Sequence, residues 1–134
     1  MTTIIDLTAE LAKLTMLRGR TPQSTSADRV GTSAQLALYR DGVLFTSKFS
    51  GKGAWERHVK GDELVHILDG TATLDIVIGD GPPQSLTVRA GMVAIVPQGA
   101  WQPEGVTLMT TTPQPTDHIR LDVDDPRKVA PKSV

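Results

Sequence analysis

Glu56, His58 and Glu63 bring two carboxylates and an imidazole within eight positions, in a chain with only three histidines. These groups support two kinds of chemistry. Carboxylate oxygens and imidazole nitrogens bind divalent ions, and the same side chains give and take protons as general acids and bases. Spacing decides whether they can meet. If residues 55–58 are extended, Glu56 and His58 point the same way, because alternate strand residues share a face. Val59-Lys60-Gly61-Asp62 is polar around a glycine and reads as a tight connection. It returns Glu63 toward the first pair, at the head of an apolar strand, Leu64 to Leu68, that ends at Asp69-Gly70. Without a metal, two carboxylates in a low-dielectric cavity repel. One is then expected to take a proton, or to pair with His58, Arg57 or Lys60.

The elements that must position these residues are bounded by composition. A chain of 134 residues with 39% apolar content forms one domain with a core of its own. The net charge of −1 gives no basic surplus for nucleic acid or an anionic membrane surface. Cysteine is absent, which excludes disulfides, thiolate metal sites and cysteine nucleophiles, and fits a reducing cytoplasm. No apolar run is long enough to span a bilayer, and the N-terminus has no basic region followed by a hydrophobic core. The expectation is a cytoplasmic single-domain protein.

Residues 1–32 read as an N-terminal helix and loop. Ile4, Leu7, Leu11 and Leu14 recur at helical spacing, with Thr8 or Asp6 as caps, so a short helix should pack on the body or on a second subunit. Arg18 to Thr32 has no periodicity and reads as loop. From Ser33 the pattern is β. AQLALYR and VLFTSKF flank Asp41-Gly42, a hairpin signal. Further extended segments are expected at Trp55–His58, Leu64–Leu68, Thr71–Ile78, Ser85–Val88, Met92–Val96 and Val106–Thr111. Short strands separated by turn residues indicate an antiparallel sandwich or barrel. Residues 113–134 form a proline-rich C-terminal segment, with Ile119, Leu121 and Val123 as a possible last edge strand and DPRKVAPKSV as a solvated tail.

Over roughly residues 33–112 the chain resembles the cupin family of small jelly-roll barrels. The first cupin motif is matched by His58, by Glu63 after four intervening residues, and by Gly70 after six more. The second is matched by Gly91, Pro97 and Gly99 in GMVAIVPQG. The family's first histidine position is Glu56 here, and the histidine expected after Pro-x-Gly is Gln102. The resemblance implies an all-β, single-domain double-stranded β-helix with a short N-terminal helix. It also implies an internal site lined by Glu56, His58, Glu63 and Gln102.

Alone, Glu56 and Arg57 would read as surface charges on an edge strand, and Glu63 as a solvated residue after a turn. Within the cupin frame the acids face inward. One imidazole and several oxygens suit a divalent metal such as manganese, iron, zinc or nickel, with the neutral Gln102 amide the weakest donor. Two functions follow: a metal-dependent enzyme on a small organic substrate, or a non-catalytic barrel that binds or senses a small molecule without metal. Trp55 and Trp101 flank the motifs as candidates for the pocket mouth, or equally for core or interface filling. His66, three positions after Glu63, should face outward, and His118 reads as a surface residue. Sheet edges and the outer face suggest a homodimer.

Overall fold

The computed structural model describes residues 2–103 and 108–129. Twelve strands follow one short helix. They are β1 (Leu17–Arg20), β2 (Ser33–Tyr39), β3 (Gly42–Ser47), β4 (Phe49–Gly51), β5 (Trp55–His58) and β6 (Glu63–Ile67) in the first half. The second half gives β7 (Thr71–Ile76), β8 (Gln84–Arg89), β9 (Val93–Val96), β10 (Trp101–Pro103), β11 (Leu108–Pro113) and β12 (Thr116–Ile119). Every extended segment read from the sequence between residues 33 and 103 is a strand. Of the segment expected at 106–111, residues 106 and 107 lie outside the described residues, and β11 runs on to Pro113.

Two layers face each other. One is a five-stranded sheet in the order β2-β3-β11-β6-β9. The other combines the three strands β10-β5-β12 with the β7–β8 hairpin, joined through mutual backbone hydrogen bonds between Val77 and Trp101 of 3.0 and 2.8 Å. Between the layers lies an apolar core in which Val65, Ile67, Val96 and Leu108 of the first sheet meet Ala72, Leu74, Ile76 and Val88 of the hairpin. Alternation produces this directly: Glu63, Val65 and Ile67 of β6 are buried, while Leu64 and His66 are half-exposed on the outer side. His66 thus faces outward, as its spacing requires.

Several expectations are corrected. The hairpin turn falls at Arg40-Asp41, with Arg40 at φ 52, and Gly42 already belongs to β3, opposite Pro113. A side chain at Gly42 would place its Cβ 2.3 Å from the Thr112 carbonyl oxygen, so this glycine serves close approach and not the turn. The stretch read as loop from Arg18 contains most of β1, which pairs in parallel with β4. Its polar sequence gave no periodic signal. Helix α1 spans only Leu7–Ala12, capped by Asp6, whose side chain accepts from the Ala9 backbone N–H at 3.1 Å. None of its residues is fully buried, and Leu7 and Leu11 are half-buried.

The last strand is β12, earlier than the expected alternation at 119–123, because Thr116–Ile119 completes the free edge of β5. The beginning of the expected tail is docked. Arg127 donates to the Gly79 and Gly81 carbonyls at 2.8 and 2.7 Å, and Pro126 is buried in a 3₁₀ turn over Pro126–Lys128. No helix among the described residues is long and apolar enough to cross a membrane.

Candidate metal centre and cavity

Strand β5 is the spine of the site. Its four residues are all buried, but their side chains divide. Glu56 and His58 share the inner face, while Trp55 and Arg57 share the outer one. Cross-strand partners lie on the same face as the residue they oppose. Gln102 of β10 and His118 of β12 flank Glu56 from its two sides, and Thr116 stands opposite His58.

Glu63 arrives from the other layer. The 59–62 connection carries the chain from β5 to β6 and is stapled to the loop before β10. The Asp62 carboxylate accepts from the Gln98 backbone N–H at 2.8 Å, and the Gln98 side chain donates to the Val59 carbonyl at 2.7 Å. The Gly99 N–H donates to the His58 carbonyl at 2.9 Å, with Gly99 at φ 82, a conformation open to glycine. These contacts fix the spacing of His58, Glu63 and Gln102.

Glu56, His58 and Glu63 offer ligand atoms that all lie within 4.8 Å of one another, and all three residues are buried. They form a group able to hold a metal ion. His58 Nε2 is 3.1 Å from Glu63 Oε2 and 3.7 Å from Glu56 Oε1, yet it makes an aligned hydrogen bond to neither. On its other side Nδ1 is 3.1 Å from the Thr116 hydroxyl, which fixes the ring with Nε2 toward the carboxylates. Gln102 donates its amide N–H to Glu63 Oε1, while its own Oε1 has no hydrogen-bond partner among the described residues. Glu63 Oε2 accepts from the Thr112 hydroxyl at 2.7 Å, and Thr112 is 2.7 Å from the Thr110 hydroxyl.

The donor set fits a divalent cation. A buried polar atom left without a partner costs about 1–3 kcal/mol; Gln102 Oε1 is such an atom, and His58 Nε2 faces two carboxylates without an aligned hydrogen bond to either. A cation among them would engage all four. In the protein alone, burial opposes charge on His58, but the facing Glu56 and Glu63 carboxylates outweigh it and push its pKa up to about 10. The imidazolium then balances part of the acid charge.

The three oxygen-bearing positions Glu56, Glu63 and Gln102 line a cavity of about 680 Å³ inside the barrel, within the usual range for small-molecule sites. His118 lines it too, with Nε2 3.7 Å from Glu56 Oε2. His118 is exposed, as read from the sequence, but it stands at the cavity wall and not on a remote surface. His118 lies 62 positions from Glu56 in the chain, and only the pairing of β12 with β5 brings them together. Thr110, Thr112 and Thr116 were likewise not singled out, since isolated threonines in strand-rich sequence carry no signal of their own.

Trp55 and Trp101 do not line the cavity. They pack with Val77 and Ile119 on the outer side of their sheet, against Val123. The Trp55 indole N–H donates to the Val123 carbonyl at 2.9 Å. Arg57 stands 4.6 Å over the Trp101 ring and pairs with Asp117 at 2.9 Å. Of the alternatives open to the tryptophans, core filling is the one this packing matches.

No family model matches the chain, and no curated protein matches it significantly. Solved structures do match. Protein NMB1881 from Neisseria meningitidis is 20% identical over 87% of this chain and 98% of its own, at a TM-score of 0.53. A cupin-2 domain containing protein from Shewanella frigidimarina is 25% identical over 62% of this chain and 80% of its own, at 0.48. The hydroquinone 1,2-dioxygenase PnpCD, solved with Cd2+ and 4-hydroxybenzonitrile, is 16% identical over 60% of this chain and 63% of its own, at 0.49. The fold is that of the cupins. In this barrel the positions carried over from the two motifs, Glu56, His58, Glu63 and Gln102, meet in the interior.

Proposed function

We propose that this cupin binds a divalent metal through Glu56, His58, Glu63 and Gln102 and uses it on a small organic molecule held in the barrel cavity. The observation that carries the reading is the pair of buried donor atoms, His58 Nε2 and Gln102 Oε1, left without aligned partners beside two carboxylates. Manganese, iron, zinc and nickel all suit one imidazole with several oxygens. Such an ion supplies Lewis-acid polarisation of a ligand oxygen. The chain's own residues do the rest: Thr116 orients His58, and Thr112 and the Gln102 amide orient Glu63.

Elemental analysis of protein purified without chelator, beside Glu63→Ala, tests this. Near-stoichiometric metal in the native protein and its loss in the variant are expected. Metal in neither sample would defeat the reading.

A second reading is a metal-free, non-catalytic barrel that binds or senses a small molecule. The pairing of a cationic His58 with its carboxylates favours it, because part of the acid charge is then met without a metal. A homodimer belongs to the proposal as well. The outer face of the five-stranded sheet exposes Val93 and Ile95 of its edge strand beside His66 and Leu64. Sedimentation of the native protein measures it, and a monomer at micromolar concentration would remove it.

A further inference from the structure

We propose that the cavity takes a small neutral alcohol, and that Thr110 selects it by accepting a hydrogen bond from the ligand's O–H. The inference rests on the reading that the cavity holds a small organic molecule. Its geometry comes from the protein's own threonines and not from a metal.

The polarity of a short chain of side chains carries it. A carboxylate only accepts hydrogen bonds, and a threonine hydroxyl has a single proton to give. The Thr112 hydroxyl gives its proton to Glu63 Oε2 at 2.7 Å, so the 2.7 Å contact between Thr112 and Thr110 uses the proton of Thr110. The far end holds the same direction, because the Gln102 amide donates to the other Glu63 oxygen. Thr110 Oγ1 therefore ends the chain with its proton engaged and its lone pairs open, and none of the described residues donates to it. Thr110 is 9% exposed and lines the cavity. Such an oxygen accepts and cannot donate. A ligand hydroxyl beside it is paired, whereas a carbonyl or ether oxygen sets lone pairs against lone pairs.

Strand register supplies the surroundings. Thr110 stands opposite Phe45 on β3 and Val65 on β6, and cross-strand partners share a face. Both neighbours line the cavity, so the flanking strands bring hydrocarbon beside the hydroxyl and nothing that competes for its lone pairs. Val43, Leu74 and Leu108 extend the same apolar wall. One open acceptor in such a wall suits a molecule with a hydrocarbon body and a hydroxyl. A neutral O–H enters it at less desolvation cost than an ammonium group does.

The test is titration, followed through the ligand NMR signals, of α-phenylethanol against acetophenone and of cyclohexanol against cyclohexanone. Within each pair the carbon skeleton is shared and only the O–H donor is lost. Native protein, Thr110→Val and Thr110→Ser are compared after chelation, where no ion competes for the probe oxygen. The alcohol should bind native protein roughly tenfold tighter than its ketone in at least one pair. Thr110→Val should bring the two together by weakening the alcohol, and Thr110→Ser, which keeps the oxygen, should keep the preference. Equal binding of alcohol and ketone in both pairs, tighter binding of the ketones, binding of no probe, or an alcohol preference surviving in Thr110→Val would each overturn the assignment. The native protein alone decides the first three, whatever the variants' folding. Metal content before chelation reports on the metal centre separately. Protein without metal that still prefers alcohols defeats that centre and keeps this inference, and metal-bearing protein without the preference does the reverse.

Discussion

His118 stands directly across the β5–β12 ladder from Glu56, its Nε2 3.7 Å from a Glu56 carboxylate oxygen. Glu56 is therefore flanked on both sides of its strand, by His118 on β12 and by Gln102 on β10, and its carboxylate meets the His118 ring. A carboxylate placed in this way has its orientation set in part by His118, which need not touch the ion itself.

His118→Phe keeps a ring and removes both nitrogens. Metal stoichiometry should hold while affinity falls about tenfold, as is usual when a group orienting a ligand is removed. Competition with a chromogenic chelator measures it, and an unchanged affinity would show that Glu56 is oriented by other contacts.

Gln102→His replaces a neutral carbonyl donor by imidazole and removes the amide bond to Glu63. Because first-row transition metals favour imidazole, zinc and nickel should bind more tightly than to the native protein. Weaker binding in the same chelator assay would mean that the support given to Glu63 matters more than the ligand itself.

Thr112→Val is close to isosteric and deletes the hydroxyl that donates to Glu63 at 2.7 Å, leaving Thr110 without that neighbour. A buried charged acceptor loses a donor, which should cost about 1–3 kcal/mol in urea unfolding of chelated protein. A change below a few tenths of a kcal/mol would indicate that water replaces the hydroxyl.

The pH dependence of the chelated protein follows from His58, which faces Glu56 and Glu63. Its pKa is raised from 6.5 to about 10 on folding, so the folded state holds the proton more tightly. The stabilisation is complete below pH 6.5, declines as pH rises toward 10, and is lost above it. Thermal midpoints should fall across that window, and His58→Gln should flatten the decline. Metal-loaded protein should show little of it, because the ion has displaced the proton. A midpoint independent of pH in the chelated native protein would refute the shift.

Much of this was legible in the sequence because it was local. Strand period placed Glu56 and His58 on one face and a short glycine-centred connection returned Glu63, while Gln102 came from the resemblance to the second cupin motif carried by Gly91, Pro97 and Gly99. What stayed hidden depends on strand pairing. His118 and Thr116 reach the site only through the register of β12 on β5, and Thr112 through β11, which lies beside β6 in the sheet. Arg20, which lines the cavity, was hidden for another reason. Its strand is polar and pairs through backbone alone, so hydrophobic periodicity passes over it. The tryptophans stayed undecided between mouth and core because flanking a motif in sequence says nothing about face; odd positions on β5 point away from the cavity, which leaves core filling.

The anchors of the C-terminal segment bear on how the molecule carries mechanical load. Tension applied beyond Val129 falls first on Arg127, bound to two carbonyls of the β7–β8 turn, and next on the Trp55 indole that grips Val123. Both lie outside the cavity and precede His118 along the line of pull. A tether or fusion joined at that end should leave the interior undisturbed until these two clamps have yielded.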